Sequence, residues 1–377
     1  MAKKIIFIVI DGLGDKPIKA LGNKTPLEAA KTPNLDFMAE NGIYGLIEPF
    51  LFPWQELPAS DISHLALFGY DPKTFYLGRG PYEAAGLGIK LKKGDIALRA
   101  NFAAVSKDLI VLDRRAGRIE KTQPLIKILS RIKIKGVKIL VKRSFGHRAV
   151  LVLRGKRLSS KLTDNDPKKE GETVKKVLPA DKSKEARFTA AVLNEFLDKA
   201  RQFLKNQVRA NYFLVRGAGQ IRETPSFEKR YGLKACCVAG GALYKGIAKI
   251  LGMDLIKVKG ASGLPNTNLK GKFLAAKKAI NKYDFVFLHI KAADNFAEDG
   301  NFLAKKDFLE KIDKNIKHLL GLKNTLIVLT GDHSTCSELK RHCVDSIPIL
   351  ISGFSRGKLS RPLPQLEVLP MVLKLLL

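Results

Sequence analysis

Three short segments carry acidic residues where an apolar run ends. Thr330-Gly331-Asp332-His333-Ser334-Thr335 follows Leu326-Ile327-Val328-Leu329. Asp11-Gly12-Leu13-Gly14-Asp15 follows Ile5-Ile6-Phe7-Ile8-Val9-Ile10, and Lys291-Ala292-Ala293-Asp294 follows Asp284-Phe285-Val286-Phe287-Leu288-His289-Ile290. An Asp beside a His offers an oxygen and a nitrogen ligand together, a pair suited to a borderline divalent ion such as Zn²⁺ or Mn²⁺. Any one of these Asp residues has a plainer use, capping a following helix or turn. As a set, Asp11, Asp294, Asp332 and His333 read as a metal site, and His342, nine residues beyond His333, can return to it from a loop. Ser60 adds a hydroxyl at a helix start, in Pro58-Ala59-Ser60-Asp61-Ile62-Ser63-His64-Leu65. There it can simply cap the helix. The same position faces backbone N–H groups that can hold a phosphate, and beside a divalent ion the hydroxyl becomes a nucleophile.

The elements that must position these residues follow from the apolar pattern. Unbroken apolar runs of six or so residues are strands buried on both faces of a parallel sheet. Ligands gather at the carboxyl ends of such strands. Thr25-Pro26-Leu27-Glu28 opens a helix, and Thr32-Pro33-Asn34 opens another running towards Asn41-Gly42. From about residue 80 the texture changes to short β segments at 96–102 and 149–153. The stretch 157–187 is polar and Lys-rich and reads as a mobile loop region, and apolar residues at helical spacing predict a long helix over about 190–208. Strand-helix alternation returns from about 270. The expected organisation is an α/β metal-binding core of mostly parallel sheet, discontinuous over 1–75 and 270–377, with 76–269 inserted as an α+β cap domain.

Composition narrows the function classes. With 377 residues and 45% hydrophobic content the chain is long enough for a sizeable core. No apolar run approaches the roughly 18 residues of a membrane span. The six apolar residues after Lys4 are a first strand, too few for a signal-peptide core. Cys236, Cys237, Cys336 and Cys343 form no disulfide ladder or zinc-finger spacing, so free thiols in a reducing cytoplasm are expected. Cys336 and Cys343 flank the loop between His333 and His342, yet Asp and His candidates already fill that site. Lys and Arg number 67 against 36 Asp and Glu, a formal charge of +31. Such an excess attracts nucleic acid, membranes or anionic substrates. Here the basic residues are scattered, and over 131–142 they alternate with Ile, Val and Leu like the wet face of half-buried strands. No helix-turn-helix, zinc finger or aromatic RNA-binding signature accompanies them, so a solvated surface is expected and a nucleic-acid partner is not.

Further ordered motifs run through the chain. They are Ser60-Asp61 with His64-Leu65-Ala66 and Phe68-Gly69-Tyr70-Asp71; Gly78-Arg79-Gly80-Pro81-Tyr82-Glu83-Ala84; Gly94-Asp95-Ile96-Ala97 with Arg99; and Asn101-Phe102-Ala103. Asp113-Arg114-Arg115-Ala116-Gly117-Arg118, His147-Arg148, Arg216-Gly217-Ala218-Gly219 and His289-Ile290-Lys291 continue the series. With the Asp11 and Asp332 segments, they resemble the archaeal-type, 2,3-bisphosphoglycerate-independent phosphoglycerate mutases of the alkaline phosphatase superfamily, over nearly the full length. The resemblance implies an alkaline-phosphatase-like core and a cytoplasmic enzyme of glycolysis and gluconeogenesis that interconverts 3-phosphoglycerate and 2-phosphoglycerate through a phosphoserine at Ser60, with glycerate trapped between domains while the cap excludes water. It implies two divalent ions, Mn²⁺ above Mg²⁺, Co²⁺ or Zn²⁺. One would be held by Asp11, Ser60, Asp332 and His333, the other by Asp294, the residue four further on, and His342. It also implies that Arg99, Asp113, Arg114, Arg148 and Arg216 bind the substrate's anionic groups, against the plain alternative of surface ion pairs.

The chain departs from the family pattern in places. Glu298 stands where the second metal site usually has His, and Ala297 where Gly precedes it. Cys343-Val344-Asp345-Ser346-Ile347-Pro348 replaces a Ser-x-Asp-Pro-Val-Pro pattern, and Lys168 replaces a His. As a metal ligand, Glu298 would favour Mn²⁺ or Mg²⁺. The alternatives are a diverged phosphomonoesterase, a mutase of another phosphorylated acid, or a binding protein on the same fold. Oligomeric state has no signature in the sequence.

Overall fold

The computed structural model describes residues 4–353 and 356–376. The chain lays down β1 (Lys4–Ile10) and β2 (Gly42–Glu48). It then enters a second unit for β3 (Ile96–Val105), β4 (Val111–Asp113), β5 (Val137–Arg143), β6 (Arg148–Gly155) and β7 (Tyr212–Gln220). It returns for β8 (Ala235–Val238), β9 (Asp254–Leu255), β10 (Phe285–Ile290), β11 (Thr325–Thr330), β12 (Ser334–Cys336), β13 (Arg341–Cys343) and β14 (Ile347–Ser352). Two short strands, β15 (Gly357–Lys358) and β16 (Leu363–Pro364), follow.

The two compact units are Met1–Tyr76 with Thr224–Leu377, the core, and Leu77–Glu223, the cap. The chain re-enters the core at 224 and not at 270, because β8 pairs in parallel with β10 and extends the core sheet. Ala235-Cys236-Cys237-Val238 is too short a run to announce itself as such a strand. Among the described residues the core sheet has nine strands, in the order β15-β2-β14-β11-β1-β10-β8-β9 with β16 also on β2.

At its centre β1 lies parallel between β10 and β11, with Val9 opposite both His289 and Thr330. This register sets three strand ends side by side, so the segments bearing Asp11, Asp294 and Asp332 leave the sheet along one edge. Ile5 to Ile10 are all fully buried, as the unbroken apolar pattern requires. Each such side chain is worth roughly 1.5–3 kcal/mol relative to exposure. The helices Pro33–Glu40, Leu269–Ala279 and Phe302–Ile316 contribute Leu35, Met38, Phe273, Phe308 and Ile312 to one face of this sheet.

The cap holds a five-stranded antiparallel sheet in which β3 pairs with β4, β6 and β7. Its long helix spans Lys184–Leu204 and packs Leu193, Phe196 and Leu197 into the cap core with Phe102 and Phe213. That helix starts before the expected 190, because Ser183 caps it by accepting from the Ala186 N–H at 3.1 Å. Its first turn is hidden within the Lys-rich stretch. On β5, Val137 and Ile139 are buried while Lys138 is exposed, the alternation anticipated for 131–142.

The cysteines correct the expectation of four free thiols. Cys336 and Cys343 are joined by a disulfide across the β12–β13 hairpin, with Cα atoms 5.9 Å apart. Cys236 and Cys237 are free and buried. A spacing of seven residues gives no sign of this pairing until the hairpin folds the two strands together.

Candidate active site

In the core, the carboxylates are fixed by neighbours from separate elements. Asp11, just past β1, is fully buried. Its Oδ2 accepts from the Tyr244 hydroxyl and lies 3.2 Å from Lys291 Nζ and 3.3 Å from His289 Nε2. Asp332 Oδ1 accepts from the N–H groups of Gly12 (3.1 Å) and His333 (3.0 Å), and its Oδ2 is 3.3 Å from His333 Nε2. Asp294 Oδ1 accepts from Thr335 Oγ1 at 2.7 Å and lies 3.5 Å from His342 Nε2, while its Oδ2 takes Lys291 Nζ at 2.8 Å. Gly12 is required where these segments cross. Its φ is +67°, and a Cβ there would meet Asp294 Cα at 2.8 Å.

Ser60 is the first residue of the helix Ser60–Leu67; Ala59 is the N-cap, and no side chain caps this end. The plain capping role for Ser60 therefore falls away. Its Oγ lies 3.2 Å from His333 Nε2 instead. His342 donates from Nδ1 to the Pro58 carbonyl at 2.8 Å, and its ring stacks on His333 with centroids 3.8 Å apart.

Two donor groups result. Asp11, Asp332 and His333 offer ligand atoms within 4.8 Å of one another, and so do Asp294, His333 and His342. His333 faces both. Glu298, half-buried at the end of the helix Ala292–Glu298, belongs to neither group. Its charge acts on Lys291, whose ammonium form is strongly favoured by Asp11 and Asp294 against the cost of burial.

The electrostatics suit a cation. Burial and the neighbouring Asp11 carboxylate push Asp332 up to about 7. Burial resists ionisation of Asp294 too, but Lys291 and His342 hold it well below the ordinary range. Burial and His342 drive His333 down to about 3, so its ring is a neutral nitrogen donor. Burial works against a charged His342, yet Asp294 carries it up to about 9. Asp11 Oδ1 and Asp332 Oδ2 are buried without a hydrogen-bond partner. Unused carboxylate lone pairs beside a neutral imidazole form a mixed O/N donor set that fits a divalent ion.

The cap assembles the opposite charge. Arg99 on β3 stands opposite Arg216 on β7, and Asn101 opposite Arg148 on β6. Arg99 is buried, and its guanidinium pKa falls well below normal through burial and the nearby Arg79, Arg216 and Arg148. The Nε atoms of Arg99 and Arg148 are buried without hydrogen-bond partners. Arg114 grips Asp166 with two bonds, Nε to Oδ1 at 3.0 Å and Nη2 to Oδ2 at 2.7 Å, and Arg216 Nη1 reaches the same Oδ2 at 3.2 Å. Asp113 is occupied locally, accepting from the N–H groups of Arg115 and Gly117 at 2.6 Å each.

Sequence reasoning did not single out Tyr244, Thr335, Glu83 or Asp166 as site residues. Glu83 is buried beside Arg79, Arg99 and Arg148, which keep it ionised below the usual range despite burial. Arg79 and Glu83 are four apart on the helix Arg79–Gly86, with Arg79 Nε 3.4 Å from Glu83 Oε1, a spacing readable in advance. Tyr244 carries no such local signal, since its partner Asp11 lies 233 residues away in sequence, and Thr335 reaches Asp294 across segments as well as the nearby His333.

Comparison with known proteins follows the same lines. Residues 39–209 match the family described as 2,3-bisphosphoglycerate-independent phosphoglycerate mutase. The chain is similar to 2,3-bisphosphoglycerate-independent phosphoglycerate mutase 1 of Archaeoglobus fulgidus, 46% identical over 365 residues, covering 92% of this chain and 88% of the relative. A Methanococcus aeolicus relative with the same description is 46% identical, covering 93% and 89%. Among solved structures, a Pyrococcus horikoshii protein superposes with a TM-score of 0.81 at 30% identity, covering all of this chain and 98% of that one. A cofactor-independent phosphoglycerate mutase from Thermoplasma acidophilum gives 0.67 at 35% identity, with both chains fully covered.

Proposed function

We infer the reaction from one premise: the chain belongs to the 2,3-bisphosphoglycerate-independent phosphoglycerate mutase family. The enzyme interconverts 3-phosphoglycerate and 2-phosphoglycerate. Ser60 Oγ, giving up its proton, attacks phosphorus; the P–O bond to the 3-oxygen of glycerate breaks, that oxygen takes up a proton, and a phosphoserine forms. The 2-hydroxyl of the same glycerate then attacks phosphorus, the Ser60 P–O bond breaks, and the serine is regenerated. No bisphosphoglycerate is consumed.

The observation that carries this reading is the position of Ser60. It is buried, relieved of any capping duty and 3.2 Å from the neutral His333 ring, beside carboxylates with unused oxygens. Asp11, Ser60, Asp332 and His333 would hold one divalent ion, and Asp294 and His342 a second, which Glu298 would join as a further oxygen ligand only by turning in from outside that group. Mn²⁺ is the proposed ion, and when bound it supplies charge that eases loss of the Ser60 proton and stabilises the transferring phosphoryl group. Lys291 balances Asp11 and Asp294. In the cap, Arg99, Arg148, Arg216 and Arg114 take the substrate's carboxylate and phosphate, for which a planar fork is the fitting donor. Asp113 shapes the turn that carries Arg114 and Arg115.

A role in glycolysis and gluconeogenesis, and a place in the cytoplasm, belong to the same proposal. No described helix is long and apolar enough to cross a membrane. The test is a coupled assay of 3-phosphoglycerate conversion with Mn²⁺, Mg²⁺, Co²⁺ or Zn²⁺ and no added bisphosphoglycerate. Formation of 2-phosphoglycerate, with ³²P trapped on Ser60 after acid quench, is the expected result. Release of inorganic phosphate alone would make the chain a phosphatase.

A further inference from the structure

The hairpin that carries His342 is anchored unequally. Strand β12 is tied down at several points. The Thr335 N–H donates to the Gly14 carbonyl at 3.0 Å, and the buried Lys305 ammonium donates to Thr335 O (3.0 Å), Gly14 O (2.8 Å) and Asp15 Oδ2 (2.9 Å). One residue further on, Ser337 donates to Asp15 from both its N–H and its Oγ. Strand β13 pairs with β12 over three residues, and Arg341 and Val344 on either side of its last two positions are exposed. Its contacts run through His342, which donates to the Pro58 carbonyl, stacks on His333 and lies 3.5 Å from Asp294, before the chain enters β14 at Ile347. A two-stranded ribbon of this length is marginal without support. The Cys336–Cys343 bond supplies that support, linking β13 to the anchored β12 at the residue next to His342.

We propose that Cys336 and Cys343 form a reversible thiol–disulfide site that sets how firmly His342 is presented to Asp294, and so the strength of the second metal site. This rests on the reading that Asp294 and His342 hold a metal ion. In the forward step the two thiols form the S–S bond, and two electrons and two protons pass to a low-molecular-weight disulfide, which becomes two thiols. A dithiol reductant reverses the step. The first donor group, Asp11, Asp332 and His333, stands on segments leaving β1 and β11 and meets β13 through the stack of the His333 ring on His342. Reduction therefore separates the two sites in strength without dismantling both.

The test compares the air-oxidised chain, the dithiol-reduced chain and the Cys336→Ser/Cys343→Ser variant, each confirmed folded by a cooperative thermal melt. Thiol titration in denaturant is expected to give two thiols before reduction and four after. Equilibrium dialysis with Mn²⁺ is expected to give two equivalents for the oxidised chain. In the reduced chain and the double variant, the first equivalent should be unchanged and the second at least tenfold weaker. Four thiols in the oxidised chain, or the same Mn²⁺ binding in all three forms, overturns the proposal. So does an added Zn²⁺ equivalent in the reduced chain that the double variant lacks, since the cysteines would then be ligands themselves. Fewer than two Mn²⁺ equivalents in the oxidised chain overturns it together with the second metal site, while the thiol count stands apart. Should the double variant fail to fold, the oxidised and reduced wild-type chains decide the matter.

Discussion

The core and the cap each bury a charge cluster, and the two clusters are opposite in kind. In the core, Asp11, Asp294 and Asp332 lie around the Lys291 ammonium, among histidines that burial keeps neutral or Asp294 keeps charged. In the cap, five arginines, at 79, 99, 114, 148 and 216, gather around Glu83 and Asp166. One cluster has oxygen lone pairs to spare and the other has guanidinium N–H groups to spare. Buried polar groups left unpaired are costly, so such surpluses are kept where a ligand completes them. On the proposed reading the contrast divides the work: the core would take cations and the phosphoryl group, and the cap would hold the substrate's anionic groups.

The contrast can be broken most severely at Ser60. Ser60→Ala should lower turnover on the order of 10⁴-fold or more, as loss of a nucleophile does, with an unchanged melting temperature. Near-normal activity would remove the chemistry from the core. Next come Arg148→Ala and Arg216→Ala in the cap. Each removes a charge-assisted contact worth about 1.5–3 kcal/mol, roughly 10- to 150-fold in kcat/KM, whereas ³²P labelling of Ser60 at saturating substrate should persist. Wild-type kinetics in both variants would return these arginines to structural ion pairs.

A smaller effect is expected at Glu298, whose carboxylate lies outside both donor groups. If it swings in as a ligand, Glu298→Ala weakens the second Mn²⁺ by about 10–100-fold, the range for groups supporting a metal, and Glu298→His restores it. Unaltered metal stoichiometry and affinity would leave Glu298 without a metal role. The mildest test concerns cap stability in acid. Burial opposes ionisation of Asp166, but Arg114 and Arg216 hold its pKa below the ordinary 3.8. Its stabilising contribution is therefore full above pH 3.8 and is lost as pH falls through the lower folded value, because the unfolded chain takes up the proton first. Asp166→Asn should cost about 1–2 kcal/mol at neutral pH and flatten the decline below pH 3.8. An unchanged acid limb in urea melts would discount the tie.

What could be read in advance follows from how locally each feature is encoded. β1, β10 and β11 were legible because strands buried on both faces must be continuously apolar, and their acidic ends stand out against that background. β8 was not, since four residues including two cysteines carry too little pattern, and the core boundary was misplaced with it. The start of the Lys184–Leu204 helix was masked by its charged first turn. Asp11, Asp332 and His333 could be grouped from strand ends alone. That His333 faces both donor groups, and that Tyr244 meets Asp11, depends on side-chain directions across segments hundreds of residues apart. The Cys336–Cys343 bond likewise depends on a hairpin too short to have a sequence signature.

The central place of β1 has a consequence for biosynthesis. Its two neighbours, β10 and β11, come from 285–290 and 325–330, so for most of translation the first strand has no sheet to join. The cap is one uninterrupted stretch, Leu77–Glu223, and can complete its own sheet while the core is still being made. Loop closure over some 280 residues is slow, and exposed apolar strands invite aggregation. A nascent chain halted before β10 should thus present a protease-resistant cap behind an unprotected, chaperone-dependent β1, and protection of β1 should arrive only with the last hundred residues.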